Sequence, residues 1–126
     1  ALAAVESGFN PFAQGPVGAQ GVMQIPTGAH ADKFEGFGGR FAVFDPISNL
    51  RVGTRILQES VERGGGSIDA GLKRYLAAIR SDGEPGSTER IFAEQARLRQ
   101  IVQRAGPANP APHRDGVVRI AALGSQ

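Results

Sequence analysis

The chain has 126 residues, with 14 Lys and Arg against 12 Asp and Glu, which gives a formal net charge of +2. This length suits one domain with a single core, and 40% hydrophobic against 21% charged residues excludes a wholly disordered chain. The absence of cysteine excludes disulfides, zinc–thiolate sites and a cysteine nucleophile.

The first predicted element is a helix over residues 1 to 7. Gly8 is the residue type that most often follows a helix end, and Asn10-Pro11 cannot continue a helix. Glu6 therefore lies in the last turn, where the negative end of the helix dipole disfavours an ionised carboxylate, as suits a general acid. Because this helix opens the chain, we expect a domain that lacks its N-terminal part.

The next stretch is rich in glycine and proline and predicts short elements. Residues 12–17 form a loop, and Gly18 to Gln24 predict a short helix that stops before Pro26. The segment 28–44 holds four of the seven phenylalanines and predicts a short helix and a loop. Strand-like alternation is almost absent, so the predicted fold class is all-α.

The strongest helix signal begins at Asp45-Pro46, because Asp is a favoured N-cap and Pro suits the first helical position. This helix should run to about Arg63 and end before Gly64-Gly65-Gly66. The residues that we expect on its core face are Leu50, Gly53, Leu57 and Val61.

Two further helices follow. Ser67 caps one over residues 68–80, and Ser87 or Thr88 opens the last, which ends near Ala105. The residues that we expect to face the core are Leu72, Tyr75, Leu76, Ile79, Ile91, Leu98 and Val102.

The chain thus divides into a helical domain over residues 1–106 and a Pro/Ala-rich linker or disordered tail over residues 107–126.

Basic residues form no run of five and are not interleaved with aromatics, so we expect no nucleic-acid partner. No apolar stretch approaches the roughly 18 residues that a membrane span needs, so we expect no transmembrane segment in this chain. We expect a monomer.

The sequence contains no convincing motif for binding a metal ion or a phosphate group. His30, Asp32 and Glu35 match no metal-ligand spacing and are better explained as a solvated short helix. The glycine-rich run from Gly36 to Gly39 is preceded by no strand and followed by no Lys-Ser/Thr pair, so it is not a phosphate loop. We expect no metal and no cofactor.

Three blocks of sequence carry a more specific signal: Glu6-Ser7-Gly8-Phe9-Asn10-Pro11, Gly18-Ala19-Gln20-Gly21-Val22-Met23-Gln24, and Phe44-Asp45-Pro46 with Asn49 and Gly53. Their order and spacing resemble the catalytic domain of the soluble lytic transglycosylases (SLT). That family combines Glu-Ser-x-Phe-x-Pro with Gly-Ala-x-Gly-Leu-Met-Gln, an Asp-Pro-x-x-Asn helix start and a helix that contains Tyr. The resemblance covers roughly residues 1 to 80.

The resemblance implies a lysozyme-like, all-α helical domain similar to goose-type lysozymes. It implies cleavage of the MurNAc-GlcNAc β-1,4 bond of peptidoglycan with formation of 1,6-anhydroMurNAc ends, without a cofactor. Glu6 would be the catalytic acid and base. Glycan strands of peptidoglycan would be the partner, in the periplasm or cell envelope of a Gram-negative bacterium.

The resemblance also assigns substrate-binding residues. Gln24 and the backbone around Met23 would bind N-acetyl and hydroxyl groups of the sugar, Ser7 would support the turn that carries the acid, and Tyr75 would lie near the acid. Gly15 stands where the family usually has a Ser.

Two other functions remain open on the sequence. A hydrolytic muramidase similar to goose-type lysozymes would need Asp32 or Asp45 to position a water, and it would leave reducing sugar ends. A peptidoglycan-binding or scaffold module without activity would bind glycan and cleave nothing, and Gly15 is one departure from the family pattern that favours this reading.

Overall fold

A computed structural model describes residues 1–79 and 86–106, which are mainly helical, so the predicted all-α class is confirmed. The helices and strands are, in chain order, α1 (Leu2–Ser7), β1 (Ala19–Gln20), β2 (Ile25–Pro26), α2 (Thr27–His30), α3 (Pro46–Arg63), α4 (Ile68–Ile79) and α5 (Ser87–Ala105). Short 3₁₀ helices cover Pro16–Gly18, Ala31–Phe37 and Arg40–Phe44. The tail predicted over residues 107–126 lies outside the described residues.

Helix α1 ends where the sequence predicts. Gly8 adopts the left-handed conformation, with φ 59° and ψ 31°, and its N–H donates to the carbonyl of Ala4 at 3.0 Å. A residue without a Cβ takes this conformation at no steric cost. Leu2 and Ala3 are buried in the core, so the short helix is held by packing and Glu6 stays in its last turn.

The helix predicted from Gly18 to Gln24 is wrong. The chain instead forms an antiparallel hairpin in which Ala19 pairs with Pro26 and Gln20 pairs with Ile25. The intervening turn needs left-handed backbone at Gly21, with φ 80°, and at Gln24, with φ 54°. A Cβ at Gly21 would collide with the side chain of Asn49, so the turn is shaped by a residue far along the chain.

Most of residues 28–44 form short helices, where the sequence predicts one short helix and a loop. Helix α2 leads into the two 3₁₀ helices Ala31–Phe37 and Arg40–Phe44. Phe34 and Val43 anchor these segments, since both are buried, whereas Phe41 is 75% exposed.

Helix α3 begins as predicted. The side chain of Asp45 accepts the N–H of Ser48 at 2.8 Å and its hydroxyl at 2.7 Å. The helix ends at Arg63, as predicted, and α4 packs along it where Gly71 lies directly against Val61.

The core face predicted for α3 is partly wrong. Gly53 is buried, but Leu50 is 42% exposed, and the buried residues of α3 are Ser48, Asn49, Val52, Gly53 and Ile56. Asn49 is fully buried and bonds the hairpin, so α3 presents this side, and not the Leu50 side, to the hairpin. A pattern of apolar residues alone cannot detect a polar residue in the core.

The core face of α5 is also shorter than predicted. Ile91 is buried and Leu98 is partly buried, but Val102 is 68% exposed, so the inward-facing prediction for Val102 is wrong. The helix contacts both α1 and α4.

Candidate active site

A cavity of about 190 Å³ lies between α1, the hairpin and the end of α4. Glu6 lines it from α1, and its Oε1 atom is shielded from solvent. The other lining residues are Ala13, Gln14, Gly15, Pro16, Ala19, Gln24 and Ile79. Among the described residues that line this cavity, Glu6 is the only one with a carboxylate.

Ser7 joins the turn that carries Glu6 to the hairpin. Its hydroxyl lies 2.6 Å from the carbonyl oxygen of Val22 and 2.9 Å from that of Ala3. Ser7 thus ties the last turn of α1 to the segment that precedes Gln24. This geometry suits the predicted support of the acid; a direct contact of Ser7 with substrate stays a prediction.

Gln24 lines the cavity with only part of its amide available. Its Nε2 donates to the carbonyls of Gly21 at 3.0 Å and Ala13 at 3.1 Å. Both N–H groups of the amide are therefore used within the protein. Its Oε1 occupies the space beside Gly15, where a Cβ would collide with it. Gln24 can therefore serve a sugar as a hydrogen-bond acceptor.

Met23 is not among the residues that line the cavity, and both polar groups of its backbone are hydrogen-bonded. Its N–H donates to Asn49 Oδ1 at 2.8 Å, and its carbonyl accepts the Tyr75 hydroxyl at 2.7 Å. Its side chain is buried against Gly53, where a Cβ would collide with it. Met23 thus fixes the position of Gln24, and its own contact with a sugar stays a prediction.

Tyr75 is 2% exposed and is not one of the residues that line the cavity. Burial raises the pKa of the Tyr75 phenol, and the nearby charge of Glu6 raises it further. The phenol stays protonated and donates its hydrogen to Met23. Tyr75 is near enough to Glu6 to be affected by its charge, but its hydroxyl bonds Met23 and does not line the cavity.

Asn49 is the residue whose importance to the site the sequence underestimates. It is fully buried, and besides accepting from Met23 it donates to the carbonyls of Val43 at 2.8 Å and Gln20 at 3.2 Å. In the sequence, Asn49 stands out only as part of the Asp-Pro-x-x-Asn helix start. A usable signal is its position one turn after the Asp45-Pro46 helix start, which places it on the same side as the cap.

The two aspartates considered for a hydrolytic mechanism do not line the cavity. Asp45 caps α3, and its hydrogen bonds from the Ser48 side chain and backbone lower the pKa of that carboxyl. Asp32 is exposed in a 3₁₀ helix.

Within residues 1–79 and 86–106, no group of three or more His, Cys, Asp or Glu is arranged to hold a metal ion. No helix in the same part of the chain is long and apolar enough to cross a membrane.

Residues 1–94 match the family model described as the transglycosylase SLT domain. The chain is 33% identical over 117 residues to the membrane-bound lytic murein transglycosylase C of Sodalis glossinidius, covering 85% of this chain and 32% of that protein. It is 30% identical over 119 residues to the protein of the same name from Photorhabdus laumondii, covering 86% and 33%. With the protein of that name from Yersinia enterocolitica, identity is 34% over 102 residues, covering 74% and 28%.

The chain spans about a third of the length of the curated relatives that it matches. No solved structure gives a significant match to it.

Proposed function

The chain belongs to the transglycosylase SLT family, and from this membership we propose that it is a lytic transglycosylase of peptidoglycan. It cleaves the MurNAc-GlcNAc β-1,4 bond and leaves a 1,6-anhydroMurNAc end. The observation that carries the proposal is the position of Glu6, at the end of α1 and in the wall of a cavity that it shares with Gln24.

The chemistry needs one group that first gives a proton and then takes one. Protonated Glu6 gives its proton to the glycosidic oxygen as the C1–O bond of MurNAc breaks and positive charge develops at C1. The C6 hydroxyl of the same MurNAc then bonds to C1, and the Glu6 carboxylate takes the hydroxyl proton. Glu6 ends protonated, no water is consumed, and no second catalytic carboxylate is required.

The other residues hold the substrate and the acid. Gln24 accepts a hydrogen bond from a sugar hydroxyl or N-acetyl N–H through Oε1, because its amide nitrogen is already used. Ser7 and Tyr75 act as positioning residues, because their hydroxyls bond the turn that precedes Gln24. Met23 belongs to that turn and acts as a positioning residue through its bonded backbone. The acid and the acceptor are thereby fixed relative to each other, which is what an oriented reaction requires.

The proposed partner is the glycan strand of peptidoglycan, and the proposed location is the cell envelope on its periplasmic side. The support is the name of the relatives, membrane-bound lytic murein transglycosylase C. We propose that this domain acts as a monomer.

The test is mass spectrometry of muropeptides after incubation of purified sacculi with the chain and with Glu6→Gln. Anhydro ends should appear with the unchanged chain and fall by orders of magnitude with the variant. The matched control is Glu35→Gln, which removes an exposed carboxylate that does not line the cavity and should leave the products unchanged.

Two outcomes would contradict the proposal. Reducing ends in place of anhydro ends would establish hydrolysis, as in a muramidase. A folded chain that binds sacculi in a pull-down and releases no product would establish a binding module.

A further inference from the structure

A second cavity, of about 320 Å³, lies on a different face of α4 from the one that Ile79 presents to the active-site cavity. It is bounded by α2, α3 and α4, and we call it the α3–α4 cavity. Its lining residues are His30, Ile56, Glu59, Ser60, Arg63, Arg74, Ala77 and Ala78. This volume lies within the range of small-molecule sites.

The charge in the α3–α4 cavity is predominantly positive. Arg63 on α3 and Arg74 on α4 are exposed, and neither forms an ion pair with a carboxylate in the described parts of the chain. Glu59 is the one carboxylate that lines this cavity among the described residues, and its Oε1 lies 3.4 Å from Nε of Arg55 outside it. Among the described residues, two guanidinium groups therefore face a space whose one carboxylate, Glu59, already has a cation.

His30 lies in the wall of the same cavity. Its Nδ1 atom is buried and has no hydrogen-bond partner in the described structure. Burial and the charge of Lys33 lower the pKa of His30, against the smaller opposite effects of Asp32 and Glu59. Because the His30 ring lines the cavity, its signals report on a ligand that binds there.

We propose that the α3–α4 cavity binds an oxyanion, either a carboxylate or a phosphate group, between Arg63 and Arg74. The planar guanidinium group offers paired N–H donors that match two oxygens of such an anion. The site is independent of Glu6 and of the proposed cleavage reaction.

Titration of the chain with inorganic phosphate and, separately, with acetate tests this proposal. Each titration is followed by NMR of the histidine ring nitrogens at constant ionic strength, with chloride as the reference salt. The His30 signals should shift and saturate, whereas those of His113 should not. Saturation by phosphate alone assigns a phosphoryl ligand, and saturation by acetate alone assigns a carboxylate. The bound anion should also raise the pKa of His30, because a negative charge favours the imidazolium form.

Two variants locate the site. Arg63→Gln and Arg74→Gln should each weaken binding at least about tenfold, since each removes charge-assisted hydrogen bonds. Arg51→Gln removes the same charge from an exposed position of α3 outside the cavity and should change the affinity less than about twofold. The proposal is overturned if neither anion gives a saturating shift at His30, or if all three variants bind as the unchanged chain does.

Discussion

The hydroxyl of Tyr75 in α4 donates a hydrogen bond of 2.7 Å to the carbonyl of Met23, 52 residues earlier in the chain. Both residues are buried, and the bond lies directly behind the turn that presents Gln24 to the cavity. This hydrogen bond from α4 therefore helps to fix the position of Gln24, which lines the proposed substrate cavity.

Tyr75→Phe should impair both stability and cleavage. The change leaves the Met23 carbonyl buried without its donor, which costs about 1–3 kcal/mol in the free energy of unfolding. Loss of positioning should lower the rate of anhydromuropeptide release roughly ten- to hundredfold. Urea unfolding and product analysis measure the two effects.

The control for this variant is Ser67→Ala, which removes a hydroxyl that caps the same helix through the N–H of Ala70. It should cost about 1 kcal/mol and leave the cleavage rate unchanged. Equal loss of rate in both variants would mean that Tyr75 affects cleavage only through stability.

Asn49→Ala should be the more damaging change to the fold. It removes three hydrogen bonds, to Met23, Val43 and Gln20, and leaves buried backbone groups without partners. We expect a loss of about 3 kcal/mol or more in the free energy of unfolding. The variant Asn10→Ala, which removes only an exposed local bond to the N–H of Phe12, should lose less than about 1 kcal/mol.

The sequence predicts the parts of this fold that depend on neighbouring residues. Gly8 ends α1 through its left-handed backbone, and Asp45 begins α3 as its N-cap. Both boundaries depend on nearby residues and can therefore be predicted from the sequence. The hairpin is missed because Gly21 and Gln24 adopt left-handed backbone around a side chain that comes from α3. The residues in the motif are recognised, but the division between those that face the cavity and those that support it requires the tertiary structure.

Gly15→Ala should disturb Gln24 specifically. The new Cβ would collide with Gln24 Oε1, so the amide would have to turn and give up its bonds to Ala13 and Gly21. We expect a loss of about 1–3 kcal/mol in stability and slower cleavage of sacculi. Gly36→Ala, where no atom lies within 4 Å of the added Cβ, is the control and should change neither. Unchanged cleavage by Gly15→Ala would show that the Gln24 amide is not used.

Asp45→Asn should alter the acid dependence of stability. Hydrogen bonds from Ser48 lower the pKa of Asp45 in the folded chain below its ordinary value of 3.8. The stabilisation by the ionised cap is therefore complete well above pH 3.8 and is lost as the pH falls through that value to the lower folded pKa. Thermal unfolding between pH 2 and pH 6, in steps of about half a unit, measures this slope.

In Asp45→Asn, that part of the acid-dependent slope should disappear. Asp32→Asn removes an exposed carboxylate that is not the cap of a helix and should leave the contribution of Asp45 to the slope intact. A slope identical in all three chains would contradict the role of the Asp45 cap.

The Met23 peptide is held by residues that follow it in the chain, its N–H by Asn49 and its carbonyl by Tyr75. These two bonds close loops of 26 and 52 residues, and such non-local contacts form later in folding than helical turns. A nascent chain that has emerged only through α3 would contain Glu6, Gln24 and Asn49 but would lack the bond from Tyr75 to the Met23 carbonyl. Cleavage competence should therefore be acquired together with the docking of α4, and refolding followed by activity should track that step.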